Sequence, residues 1–252
     1  KRRRELRMNV IGKCAYIENR IIDIIAILMA VITFLFSAYS LYDVFHVYKG
    51  ASLSSEILKN APGTAGNEND TVNVEALFEK YPDMRAWLNI FDTNINYPVV
   101  QCVDDAEYPN KDIDGNFSLA GSIFLSSLCN GALNEHYSLV YGHHIDNGSM
   151  FGDVENFLDK KFFDTHINGI LYTRKEIYDV KVFAVMQTDA YNEKLYFPYF
   201  ANNDKDAFYK YLSENAVNIR DVDRNNKVIA MSTCTESYTN GRIVLFGELI
   251  RR

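Results

Sequence analysis

The sequence predicts a mostly β domain, a closed barrel or a sandwich with flanking helices, preceded by one transmembrane helix. Three observations carry this. Short apolar runs recur from Trp87 to the C-terminus, separated by Gly, Asn, Asp and Pro. One early stretch, Ile24 to Tyr42, holds no charged residue over 19 positions. A single clear helical pattern, residues 204–217, interrupts the strand-like runs.

The N-terminal elements come first. About 20 apolar residues span the hydrocarbon core of a bilayer, so residues 21–43 read as a transmembrane signal-anchor. Residues 1–20 carry seven basic side chains against two acidic ones, a net +5 that predicts a cytoplasmic tail and an N-in orientation. The apolar run is longer than the core of a cleaved signal peptide, and no clear A-x-A site follows. Residues 44–73 read as an extracellular linker, with turn formers concentrated between Ala61 and Thr71.

The folded body is expected over residues 74–252. Val74 to Tyr81 has helical spacing, broken by Pro82-Asp83. The strand candidates are Trp87–Ile90, Tyr97–Val103, Gly121–Leu125, Ser138–Tyr141, Ile170–Tyr172, Val180–Met186, Val228–Ser232 and Ile243–Ile250. A short helix is expected from Met150 to Phe157. In the later helix Asp204 is the expected N-cap, and Phe208, Tyr211 and Leu212 share a face.

Composition narrows the function. The chain has 252 residues, 48% of them hydrophobic, enough to bury a sizeable core. Its net charge is −7, and removing the basic head leaves −12 on the remainder. An acidic body lacks the basic footprint that nucleic acid requires. Of four cysteines, Cys14 precedes the span and Cys102, Cys129 and Cys234 follow it. Three is odd, so one thiol stays free even if Cys102 and Cys129 pair; buried free cysteine is the ordinary reading of each. There is no C-x-x-C, and no H-x-x-x-H unites His136, His143, His144 and His166, so neither metal nor cofactor is expected.

Chemistry concentrates near the C-terminus. Val228 to Leu249 reads as two apolar strands joined by a polar loop, with Cys234 closing the first and Arg242 opening the second. A thiol facing a guanidinium across a hairpin suits attack on a carbonyl and retention of the resulting oxyanion. On spacing alone, a buried cysteine beside a surface arginine is the commoner arrangement. His143 ends another apolar run and precedes Asp146-Asn-Gly148, a turn signature, where an imidazole can serve as acid and base. His144 would point to the opposite face.

Three segments together resemble the sortases, the membrane-anchored cysteine transpeptidases of Gram-positive surfaces, and specifically class B. Ser232-Thr-Cys234, followed eight residues later by Arg242, is similar to the family's T-C…R signature. Tyr141-Gly-His143 with Asp146 to Phe151 resembles its histidine segment. Ala86-Trp-Leu, Thr93 to Gln101 and Gly121 to Leu125 resemble its early strands. The similarity runs from about Val74 to Arg252, and the helix at 204–217 fits a class B insertion. There are departures: Ser126-Ser127 stand where an acidic residue is frequent, and residues 103–110 replace a more usual Asn-Tyr-Tyr pattern. Gly241 ends the loop after the cysteine, where bulkier residues are common.

The resemblance implies a closed eight-stranded barrel and a cysteine transpeptidase that cleaves a Pro-x-Thr-(Gly or Asn) sorting signal after Thr. Cys234 would be the nucleophile, His143 the acid and base and Arg242 the oxyanion partner, with Ser232 and Thr233 lining the substrate groove. Substrates would be surface proteins bearing a C-terminal sorting signal. The acceptor would be a peptidoglycan precursor or another cell-wall amine, with membrane lipid around the anchor. Rivals are weaker. Papain-like hydrolases place the cysteine before the histidine, at a helix N-terminus. L,D-transpeptidases place the arginine two residues past the cysteine. An inactive or hydrolysis-only anchored protein is the alternative from another class.

Overall fold

The computed structural model describes residues 2–62, 68–235 and 240–252. The core of the expected linker and most of the loop after Cys234 fall outside these. The chain divides into a unit ending at His46 and a compact unit running from Val47 to Arg252.

The first unit is the greater part of α1 (Arg2–Ala51), a continuous helix. Phe34, Leu35 and Phe36 occupy successive positions, hence three sides of the helix, and each is at least 60% exposed. With its described apolar side chains exposed on all sides, this helix is long and apolar enough to cross a membrane. The compact unit opens within the stretch expected as linker. The last turn of α1 buries Ala51, and α2 (Ser55–Lys59) buries Ile57 under an N-cap from Ser54, whose hydroxyl accepts from the Ile57 N–H.

Helix α3 (Glu68–Lys80) stops just before Pro82, as its sequence predicts. Arg174 caps its C-terminal end by donating to the Phe78 carbonyl at 2.9 Å while lying over the Phe78 ring. Nine strands follow: β1 (Met84–Ile90), β2 (Asn96–Val100), β3 (Ile123–Leu125), β4 (Tyr137–Tyr141), β5 (Asn168–Thr173), β6 (Ile177–Asp189), β7 (Asn218–Ile219), β8 (Lys227–Cys234) and β9 (Gly241–Arg251). Their order is β5-β1-β2-β3-β4-β8-β9-β6, and β6 pairs back onto β5, closing an eight-stranded barrel. The short β7 is an extra strand beside the far half of β6. Two contacts are parallel, β2 with β3 and β4 with β8; the rest are antiparallel.

The strands read as continuous apolar runs because both faces are covered. In β1, Ala86, Leu88 and Ile90 join the barrel interior, while the alternate Trp87 packs outward with Ile170 and Tyr172 beneath Val74, Leu77 and Phe78 of α3. Trp87 is fully buried, and its indole N–H donates to Asn96 Oδ1 at 2.7 Å.

The eight expected strands are all present, with two adjustments. The run Tyr97–Val103 overshoots. Pairing stops at Val100, and Gln101 turns in to donate to the carbonyls of Ser126 and Cys129, leaving Val103 at the surface. The two-residue β7 carries no periodic signal and was not expected. Gly152–Leu158 forms a 3₁₀ helix where a short helix was expected. Four helices complete the fold: α4 (Lys160–Thr165), α5 (Glu193–Tyr196), α6 (Tyr199–Asn203) and α7 (Lys205–Asn215). Asp204 caps α7 by accepting from the Ala207 N–H at 2.9 Å. Tyr209, rather than the expected Tyr211, is buried on α7 beside Phe208 and Leu212. Tyr211 stays half-buried because its hydroxyl is held at the surface by the Asn192 amide.

Candidate active site

Strand β8 ends at Cys234, and its neighbours bring the other two candidates alongside. On one side Cys234 pairs with Arg242 in the β8–β9 ladder. The next pair outward is hydrogen-bonded, with the Thr235 N–H donating to the Gly241 carbonyl at 3.1 Å. Because hydrogen-bonded and non-hydrogen-bonded pairs alternate, Cys234 and Arg242 form a non-hydrogen-bonded pair. Their Cα atoms are then about 4.5 Å apart and their side chains share a face. On the other side β4 runs parallel to β8, with Tyr141 level with Ser232 and the Gly142 N–H donating to the Ser232 carbonyl. Cys234 and Arg242 are thus side by side in one row across β8 and β9. His143 lies two residues beyond the end of β4, the strand that flanks β8 on its other side.

The local sequence explains each position. Gly142 admits no side chain: a Cβ there would lie 2.4 Å from Ile123 and 2.7 Å from Phe151. That close approach lets the chain turn out of the barrel at His143. The Phe151 N–H donates to the His143 carbonyl at 3.0 Å, and Met150 and Phe151 are buried, so the Asp146–Phe151 segment acts as a clasp on the histidine backbone. His143 is half-buried, and its Nε2 lies 2.8 Å from the Pro109 carbonyl oxygen. Cys234 is exposed and free, and Arg242 is half-buried with one guanidinium N–H on the Gly241 carbonyl.

The two residues that precede Cys234 on β8 are buried. Ser232 and Thr233 are only 1% and 2% exposed. The Ser232 hydroxyl is bonded to the Tyr196 hydroxyl at 3.0 Å, and Thr233 Oγ1 is buried without a hydrogen-bond partner. His144 lies off the row, its Nε2 3.6 Å from the Glu155 carboxylate. Cys129 is buried and free. Its sulfur accepts from the Leu139 N–H at 3.3 Å, and burial pushes its thiol up to about 11. Cys102 is also free and donates to the Glu107 carboxylate, which raises its thiol pKa. Among the described residues no cluster of His, Cys, Asp or Glu could hold a metal ion.

Sequence reasoning missed the floor beside the row. Tyr141 stacks on Tyr196, with centroids 6.2 Å apart and the rings nearly parallel, and packs against Phe124 at 5.2 Å between centroids. Desolvation, and then the nearby Asp105 charge, push the Tyr141 hydroxyl well above its ordinary range. Tyr196 arrives from α5, in a segment whose local sequence carries no site signal. The divergent 103–110 segment touches Ser126 and Ser127. Asp105, from the divergent 103–110 segment, accepts from the Ser126 hydroxyl at 3.0 Å and from the Ser127 N–H at 2.6 Å. A carboxylate thus lies beside Ser126 and Ser127, contributed by the neighbouring loop.

No protein-family model matches the chain. Known proteins do. Sortase B of Listeria monocytogenes is 31% identical over 177 residues, which is 68% of this chain and 71% of that protein. A class B sortase of Streptococcus pyogenes involved in pilus biogenesis superposes with a TM-score of 0.65 at 34% identity, over 71% of this chain and 98% of the other. Staphylococcus aureus sortase B in a substrate complex superposes with a TM-score of 0.65 at 25% identity, over 72% of this chain and 86% of the other. It follows that this chain belongs to the class B sortases, a family of cell-wall transpeptidases.

Proposed function

We propose that the protein is an anchored cysteine transpeptidase that cleaves a Pro-x-Thr-(Gly or Asn) sorting signal after Thr and passes the acyl group to a peptidoglycan amine. The observation that supports this reading is the facing pair of Cys234 and Arg242 at the ends of β8 and β9, with His143 just past the end of the neighbouring β4. In the first half-reaction the Cys234 thiolate attacks the Thr carbonyl carbon. Arg242 stabilises the oxyanion, with a charge that persists at any relevant pH and a fork that reaches two oxygens. Protonated His143 gives its proton to the leaving amine as the C–N bond breaks, leaving a thioacyl-enzyme. In the second half-reaction neutral His143 takes a proton from the incoming amine as it attacks the thioester, and Cys234 leaves as thiolate.

The proposed topology is a cytoplasmic tail over residues 1–20, a span over 21–43 and a catalytic domain outside the membrane. The net +5 before an uncharged helix supports it through the positive-inside rule. The apolar helix then holds the catalytic domain at the plasma membrane, within reach of surface proteins and wall precursors.

A second reading is pilus assembly, where the acceptor amine belongs to another protein subunit. The 34% identity to the Streptococcus pyogenes enzyme involved in pilus biogenesis favours it. Incubating the protein with Pro-x-Thr-Gly and Pro-x-Thr-Asn peptides and chromatographing the products tests both readings. Cleavage after Thr, with formation of an amide when an oligoglycine or diaminopimelate-containing wall peptide is added, supports the first. Amide formation only with a lysine-bearing protein subunit supports the second. An intact panel with every acceptor contradicts both.

A further inference from the structure

His143 uses one ring nitrogen structurally. Its Nε2 lies 2.8 Å from the Pro109 carbonyl oxygen, and a carbonyl can only accept, so Nε2 must carry the proton. In the neutral ring the other nitrogen, Nδ1, then holds the lone pair. We infer that the loop from Tyr108 to Ser122 is a positioning device that locks His143 as its Nε2–H tautomer and makes Nδ1 its proton-transfer atom.

The loop is built to put that carbonyl in place. Pro109 lies in a one-turn 3₁₀ helix, Tyr108–Asn110, whose outer residues are tied down on three sides. The Tyr108 hydroxyl donates to Asp83 at 2.9 Å, the Ser122 N–H donates to the Tyr108 carbonyl at 3.0 Å, and the Ser118 N–H donates to the Asn110 carbonyl at 3.0 Å. The Tyr108 ring is buried against Val100 and Phe124. Gly121 closes the turn with φ +60°, a conformation that L side chains rarely adopt. A Cβ at Gly121 would stand 2.5 Å from the Pro109 oxygen and 2.6 Å from the Tyr108 oxygen. Only glycine therefore leaves the Pro109 carbonyl free to receive the imidazole N–H.

The assignment rests on the proposed reaction for its chemical meaning but not for its test. In the first half-reaction Nδ1–H of the imidazolium gives its proton to the leaving amine, and the ring becomes neutral without breaking the Nε2–H bond to Pro109. In the second, Nδ1 recovers a proton from the incoming amine. One nitrogen cycles while the other is held, so the ring need not flip between half-reactions.

The tautomer is read directly from the ¹⁵N resonances of the imidazole in full-length protein in detergent micelles at a pH where the ring is neutral. His143 signals are assigned by their loss in His143→Gln. The expected result is a protonated Nε2 and an unprotonated Nδ1 in the wild type. In Gly121→Ala, tautomer mixing appears and the acylation rate falls by about 10²-fold with little change in KM, as displacement of a reacting group by about 1 Å would cause. Tyr108→Phe, which keeps the ring but loses the Asp83 contact, gives the same signature more weakly, so the test survives a Gly121→Ala chain that fails to fold. A wild-type His143 protonated on Nδ1, or an even mixture, overturns the inference. An Nε2–H tautomer in a protein that acylates with no peptide would leave this assignment standing and contradict the transpeptidase reading instead.

Discussion

Cys234 and Arg242 are the last pair of the β8–β9 ladder to face each other without hydrogen bonds between their backbones. That class of pair brings side chains closest together. The strand ends are rigid, since Met231, Ser232, Ile243 and Val244 beneath them are buried. The thiol and guanidinium are therefore presented by the barrel wall. A site on strand ends is held more tightly than one on loops alone, which suits an oxyanion partner whose value depends on preorganisation.

Arg242→Ala should lower the acylation rate by about 10²–10³-fold, the usual cost of losing one oxyanion donor, with the barrel intact. Arg242→Lys should recover part of the charge and little of the rate, because the two-oxygen fork is lost. Stopped-flow acylation with circular dichroism as the fold control measures this. Full activity in Arg242→Ala would remove the arginine from the mechanism.

The two adjacent histidines should separate cleanly. His143→Ala should abolish turnover, while His144→Ala, which loses only its approach to Glu155 and Asp146, should retain most of it. Steady-state cleavage of a signal peptide distinguishes them, and the reverse order would mean that the wrong imidazole has been assigned.

The thiols of Cys102 and Cys129 should be dispensable. Cys129→Ala removes a weak acceptor from the Leu139 N–H and should cost about 1 kcal/mol of stability while turnover persists. Cys102→Ala should be close to neutral, since Glu107 keeps its partner Lys111. Urea unfolding and peptide cleavage read the two effects separately. Loss of turnover in a folded Cys129→Ala protein would contradict the assignment of Cys234.

Stability should fall in mild acid because of His136. Both its ring nitrogens are buried without hydrogen bonds, and desolvation lowers its pKa to about 4. The folded value lies below the unfolded one of about 6.5, so the unfolded chain binds the extra proton and stability is lost as pH falls from about 6.5 towards 4. The loss should be about 1–3 kcal/mol, reduced from the full shift by partial hydration of the ring. His136→Phe should flatten this part of the urea-unfolding pH profile. An unchanged slope would mean that other groups carry it.

The sequence made the barrel legible because its strands bury both faces, so apolar runs between turn residues map directly onto β1 to β6, β8 and β9. It could not reveal β7, whose two residues have no period. Nor could it reveal that Val103 leaves the sheet, a turn dictated by a buried amide on Gln101 rather than by any breaker residue. At the candidate site the pairing of Cys234 with Arg242 was readable because a hairpin register converts sequence distance into adjacency, and His143 was readable as a residue just past a strand end. Tyr196 and the Pro109 carbonyl were not. One comes from an irregular insertion, and the other acts through its backbone, which leaves no trace in residue type. Ser232 and Thr233, which the resemblance places along the substrate groove, are buried by strand packing, at 1% and 2% exposure.

The most direct test is intact-mass spectrometry of the protein after brief exposure to a Pro-x-Thr-Gly or Pro-x-Thr-Asn peptide, followed by proteolytic mapping of any adduct. The account predicts a mass increase equal to the acyl fragment ending in Thr, located on Cys234, absent in Cys234→Ala and discharged faster when an acceptor amine is added. An adduct on Cys102 or Cys129, or cleavage that persists in Cys234→Ala, would contradict it.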